Sequence, residues 1–107
     1  MILGVDYGLK NIGLAVSDGE IAEPYKVVHS IDDIAPVVKK LAIAKIIVGV
    51  SEGKSKNRSL SFGRKLGNIL QLPIEYVDET LTTYEAGPKA HAKAAAIILQ
   101  RYLDNNV

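Results

Sequence analysis

Four stretches of this chain carry residue types and spacings suited to chemistry. The first is Gly4-Val5-Asp6-Tyr7-Gly8, continuing through Lys10 and Asn11 to Gly13 and Val16. A carboxylate at the end of an apolar strand is costly to bury unless it meets a cation or hydrogen-bond donors. Gly8 and Gly13 keep the neighbouring backbone open to a ligand. An Asp that merely satisfies turn amides is the simpler alternative.

The second stretch is Val77-Asp78-Glu79-Thr80. Adjacent strand residues face opposite ways, so one of the two acids looks toward Asp6. Glu79, with the longer arm, is the better candidate. Asp78 then anchors the loop through Thr80, Thr82 or Thr83, and the plainer alternative leaves both acids in solvent.

The third, Gly49-Val50-Ser51-Glu52-Gly53-Lys54-Ser55, invites a phosphate-loop reading. That loop needs four residues between its glycines, because its amides must line the phosphates, and here there are three. Lys54, Lys56 and Arg58, near a helix N-terminus, suit nucleic-acid phosphates instead, with Lys10 as a neighbour. A solvated basic face is the competing explanation.

The fourth is His91. His91, Ala94, Ala95, Ile98, Leu99 and Tyr102 follow the spacing of one buried helix face, with His91 in its first turn. The positive end of a helix disfavours an imidazolium and favours a neutral, metal-binding ring. A hydrogen-bonded histidine at the core's edge fits the same position. His29, at a strand end, has no such context.

Elements must hold these residues. Met1–Asp6 and Ile12–Ser17 read as an antiparallel pair, followed by a strand over Ile21–His29 whose Pro24 marks an edge or irregularity. Asp32 or Asp33 caps a helix that buries Ile34, Val37, Val38 and Leu41. Lys45–Val50 is apolar without a break, the mark of a central strand covered on both faces. Ser51–Asn57 reads as a loop, and a helix from about Arg58 to Leu70 buries Phe62, Leu66, Ile69 and Leu70. A strand at Ile74–Val77 and a helix from just after Gly87-Pro88 to about Leu103 complete the chain. The order predicts an α/β domain over residues 1–107, with a mixed sheet and helices on both faces.

Charge is segregated. Residues 34–74 carry +7, flanked by −4 before and −2 after, within a total of +1. A basic face beside an acidic one suits a polyanion and a cation site. The chain has no Cys, which excludes disulfides, zinc-thiolate sites and cysteine nucleophiles. No signal peptide or membrane-length apolar run is present in these 107 residues. A cytoplasmic protein is expected.

Over essentially its whole length the chain resembles the YqgF (RuvX) family of pre-16S rRNA nucleases and Holliday-junction resolvase homologues. The resemblance rests on Asp6-Tyr7-Gly8, Gly13 through Asp18, Ile46 through Gly49, Asp78 through Ala86, and Ala94 through Leu103. It implies an RNase H-like fold, a five-stranded sheet ordered 3-2-1-4-5 with strand 2 antiparallel. It also implies phosphodiester cleavage with divalent metals, Mg²⁺ or Mn²⁺, held by carboxylates from the first strand, the fourth and the final helix. Asp6 matches the first acid and Glu79 the second. Where the family usually opens the last helix with an acid, this sequence has His91, which makes His91 the third candidate ligand and favours Mn²⁺. The stretch between Glu85-Ala86 and that helix is shorter than the family's glycine- and lysine-rich loop. Structured RNA, with a role in pre-16S rRNA processing, is the expected substrate, and the protein a monomer or weak homodimer. A DNA junction resolvase and a catalytically inactive nucleic-acid-binding member are the alternatives.

Overall fold

Alternation along the first strand decides how the domain is layered. The computed structural model describes residues 1–50, 54–78 and 90–105. In β1 (Ile2–Tyr7), Leu3 and Val5 point to one side while Gly4 and Asp6 point to the other. β2 (Ile12–Ser17) pairs antiparallel with β1, setting Asp6 opposite Gly13, and β3 (Glu23–Val28) pairs antiparallel with β2. β4 (Lys45–Val50) and β5 (Ile74–Asp78) extend the sheet in parallel on the other side of β1. The order is β3-β2-β1-β4-β5, with β2 antiparallel to both neighbours. This is the mixed sheet expected from the residues, in the order that the family resemblance implies.

Helices cover both faces. α1 (Ile34–Leu41) and α2 (Lys54–Leu70) lie on the side of Leu3, Val5, Leu14, Ile46 and Val48. α3 (Ala90–Asn105) covers the other, where Ala15 and Ile47 meet Ala95, Ile98, Leu99 and Leu103. Ile46, Ile47 and Val48 are all fully buried, as an unbroken apolar strand between two helical layers should be. Each such aliphatic side chain contributes roughly 1.5–3 kcal/mol relative to exposure.

Several boundaries differ from the sequence reading, each for a local reason. β3 is shorter than Ile21–His29: Ile21 is exposed, and the register shifts where Lys26 and Pro24 face Leu14 and Ala15. Proline has no amide to give to the ladder, so this edge strand bends there. Asp33 does not cap α1 with its side chain; its carboxylate accepts from the amides of Ser30 and His29 around a 3-10 turn, Ile31–Asp33. α2 starts at Lys54, so 54–57 are helical rather than loop. Its opening residues, Lys54 to Asn57, are polar, and hydrophobic periodicity cannot see a turn with no apolar residue in it. Ile69 is exposed. The buried line of α2 runs through Ser59, Phe62 and Leu66, and three residues past Leu66 is a rotation of roughly 60° away from it. In α3 the buried face runs through Ala92 and Leu103, which leaves His91, Ala94 and Tyr102 half-buried at its margin.

Candidate active site

Asp6 lies one residue before the end of β1, and glycine decides what can approach it. A Cβ on Gly13, its partner across the ladder, would collide with the carbonyl of His91 and come within 2.7 Å of the Ala92 amide. A Cβ on Gly4 would stand 2.7 Å from Leu99 Cβ and 2.9 Å from the Ala95 carbonyl. The first three turns of α3 therefore rest directly on the backbone of β1 and β2. Side chains there would push the helix outward.

That close seating brings the first turn of α3 onto Asp6. His91 Nδ1 is 3.3 Å from Asp6 Oδ2, with the side chains 27% and 16% exposed respectively. The pair is mostly covered yet open to solvent on one side. A distance of 3.3 Å is long for a charge-assisted hydrogen bond. Two ligands of one Mn²⁺-sized ion, each ~2.1 Å from it and at right angles, lie ~3 Å apart. Oxygen and nitrogen donors at this spacing fit a shared divalent ion with little adjustment.

The remaining predicted site residues fall into three groups. Glu79 lies outside the described residues; β5, the strand leading to it, ends at Asp78, whose carbonyl accepts from the Arg101 guanidinium. Among the described residues no three His, Cys, Asp or Glu side chains gather as a metal site. Lys56 and Arg58 are exposed in the first turns of α2, and the side chain of Lys54, which opens α2, lies outside the description. Lys10 is exposed, and its carbonyl lies 3.2 Å from His29 Nδ1.

Sequence reasoning missed a cavity. On the opposite face of β1 from Asp6, Tyr7 stacks on Phe62 with ring centroids 4.3 Å apart and planes 22° from parallel. Beside this pair opens a cavity of about 600 Å³, reached also by Arg58, Ser61, Lys65 and His29. Arg58, Ser61, Phe62 and Lys65 follow i, i+3, i+4, i+7, so they share one side of α2. That spacing was the available signal, but nothing local to the sequence places Tyr7 beside it.

A third polar cluster holds the far end of the sheet. Lys45 Nζ is 2.7 Å from Glu75 Oε2 and donates to the Tyr102 hydroxyl at 2.9 Å, while that hydroxyl donates to Glu75 at 3.0 Å. The three link β4, β5 and α3. Hydrogen bonds to Glu75 first and Tyr102 second raise the Lys45 ammonium above its ordinary range. Hydrogen bonds from Lys45 and then Tyr102 lower Glu75 below the usual carboxylate value.

A profile of the family RuvX, described as "Holliday junction resolvase", matches residues 1–105. This chain belongs to the RuvX family. Curated relatives agree: a protein of Caldanaerobacter subterraneus subsp. tengcongensis, named "Putative pre-16S rRNA nuclease", is 33% identical, with 97% of this chain and 96% of the relative covered. An Enterococcus faecalis protein of the same name is 31% identical over 96% of each chain. The first alignment runs over 133 positions against the 107 residues here, so at least 26 of them are residues this RuvX member lacks. Among solved structures, T. thermophilus RuvC in complex with Holliday junction substrate superposes with a TM-score of 0.67 at 14% identity, covering 98% of this chain and 94% of that one. That likeness establishes the RuvC-like RNase H fold of this RuvX protein. No helix among the described residues is long and apolar enough to cross a membrane.

Proposed function

We propose that this chain is a divalent-metal-dependent phosphodiester hydrolase acting on structured RNA, with pre-16S rRNA processing as its role. The observation that carries the reading is the approach of His91 Nδ1 to Asp6 Oδ2 at the C-terminal end of the central strand. An acid and an imidazole held side by side there suit a metal site, and the names of the relatives supply the substrate class. Asp6, Glu79 and His91 are the proposed ligands. A divalent ion bound by them would neutralise charge building on the phosphate oxygens during cleavage. Asp6 supplies the anionic oxygen, and His91 a neutral nitrogen seated by the Gly13 contact. Lys54, Lys56, Arg58 and Lys10 would neutralise phosphates on either side of the cut. The protein would work in the cytoplasm as a monomer or weak homodimer.

The family's description favours a second reading, cleavage of four-way DNA junctions. One experiment separates the two. Structured pre-rRNA fragments and junction DNA are incubated with Mn²⁺ or Mg²⁺, beside an Asp6→Ala control. Cleavage of RNA alone, abolished by Asp6→Ala, is the expected outcome. Cleavage of the junction alone favours the resolvase, and binding without cleavage of either identifies an inactive binding module.

A further inference from the structure

We infer that the cavity beside Tyr7 and Phe62 is a binding site for one unpaired nucleotide of the substrate strand. The inference rests on the reading of the chain as a nucleic-acid enzyme and adds a subsite that lies apart from Asp6 and His91.

The cavity's lining is what such a ligand requires. One wall is aromatic: Tyr7, half-buried, is held against the buried Phe62 by their stack. A fixed ring of this kind is a platform for a base, and stacking accepts any of the four because each has a π face. Arg58 and Lys65 stand on the helical side, both exposed. Neither makes an ion pair among the described residues, and no carboxylate lines the cavity among them. A flat ring beside two cations that have no carboxylate partner among the described residues is complementary to a base carrying its phosphate. Ser61 and His29 add polar groups within reach of a base edge. At about 600 Å³ the cavity falls within the range of small-molecule sites, enough for one nucleotide and too small for a duplex.

A paired base cannot enter, because its faces are covered by its neighbours. An unpaired or extruded one can, at little cost. Because Tyr7 follows Asp6 directly in β1, a nucleotide seated here brings its strand across the strand end that carries Asp6. The subsite would thereby select bulges, loops and branch points over regular helix and fix where the cut falls.

Binding in EDTA tests the site without requiring cleavage. An RNA stem with one unpaired 2-aminopurine is compared with the fully paired stem, by affinity and by 2-aminopurine fluorescence. Quenching and roughly tenfold tighter binding of the unpaired stem are expected, as for one stacked base. Ser61→Phe, at an exposed helix position, should fill the cavity, remove the quenching and bring the two affinities together. Tyr7→Leu, which keeps apolar bulk without the π face, should do the same, with melting curves confirming that both variants fold. Equal affinities and no quenching in the unaltered protein overturn the subsite, even if the paired stem is bound and cut in Mn²⁺. Failure to bind either stem overturns it as well. Quenching without any cleavage in Mn²⁺ leaves the subsite standing and removes the nuclease reading. Adenosine monophosphate that competes as strongly as the unpaired stem overturns the assignment to a strand and makes the cavity a free-nucleotide site.

Discussion

His91 Nδ1 and Asp6 Oδ2 stand 3.3 Å apart across 85 residues of sequence, and they do so because Gly13 has no side chain. The helix that carries His91 lies on the backbone opposite Asp6. Gly13→Ala should therefore act at a distance. Its methyl group meets backbone rather than a yielding side chain, and overpacking of this kind costs roughly 1–3 kcal/mol. Denaturant unfolding should show that loss, and Mn²⁺ affinity should fall with it as His91 moves away from Asp6. A Gly13→Ala protein with unchanged Mn²⁺ affinity would detach the metal site from this contact.

Substitution of His91 itself discriminates a ligand from a packing residue. A neutral imidazole gives nitrogen but no charge, whereas Mg²⁺ prefers hard oxygen donors. His91→Asp should strengthen Mg²⁺ binding. His91→Ala should weaken Mn²⁺ binding by about tenfold or more, the least expected when even a supporting partner of a metal ligand is lost, while the melting temperature holds. Calorimetric titration with each ion reads both effects. A lowered melting temperature with Mn²⁺ affinity intact would make His91 a hydrogen-bonded helix-end residue and nothing more.

The sheet and its two helical layers were legible because burial dictates hydrophobic period. Ile46-Ile47-Val48 reads as a doubly covered strand, and the spacing of Ala95, Ile98 and Leu99 as one helix face. Asp6 and His91 were legible for the same reason, each being a polar residue out of place on an apolar element. The start of α2 was hidden because its first turn has no apolar residue, and Ile69 misled because composition says nothing about rotation around the helix. The cavity was hidden for a different reason. Tyr7 and Phe62 belong to separate elements 55 positions apart, and only the packing of α2 against the sheet joins them. The same holds for Lys45, Glu75 and Tyr102, which only the pairing of β4 with β5 and the seating of α3 bring together.

The basic opening of α2 should be visible in salt dependence. Each phosphate neutralised by a cation releases condensed counterions, so affinity falls with salt in proportion to the number of contacts. Replacing Lys54, Lys56 and Arg58 with alanine should lower the slope of log affinity against log salt by roughly three on duplex substrates, slightly less on single strands. Binding isotherms at four or five salt concentrations suffice. An unchanged slope would mean that these side chains serve only as a solvated helix face.

The Lys45–Glu75–Tyr102 cluster makes stability depend on pH in a defined window. Glu75 is held below its ordinary value by Lys45 and Tyr102, so its contribution is present above the unfolded carboxylate value, about 4.3. That contribution disappears as pH falls through the lower folded value. Lys45 is raised, so its contribution is complete below the unfolded lysine value, about 10.4, and is lost only as pH climbs through the higher folded one. Between these limits both charges support the link among β4, β5 and α3. With side chains 35% and 45% exposed, the effect is screened by water and salt and should be small. Glu75→Gln should lower the melting temperature slightly at pH 7 in low salt, less in high salt, and less again toward pH 3, below the unfolded carboxylate value, where part of that contribution is gone. Thermal melts of the two proteins across that range provide the check. A deficit that grows toward pH 3 would mean that Glu75 acts through packing and not through its charge.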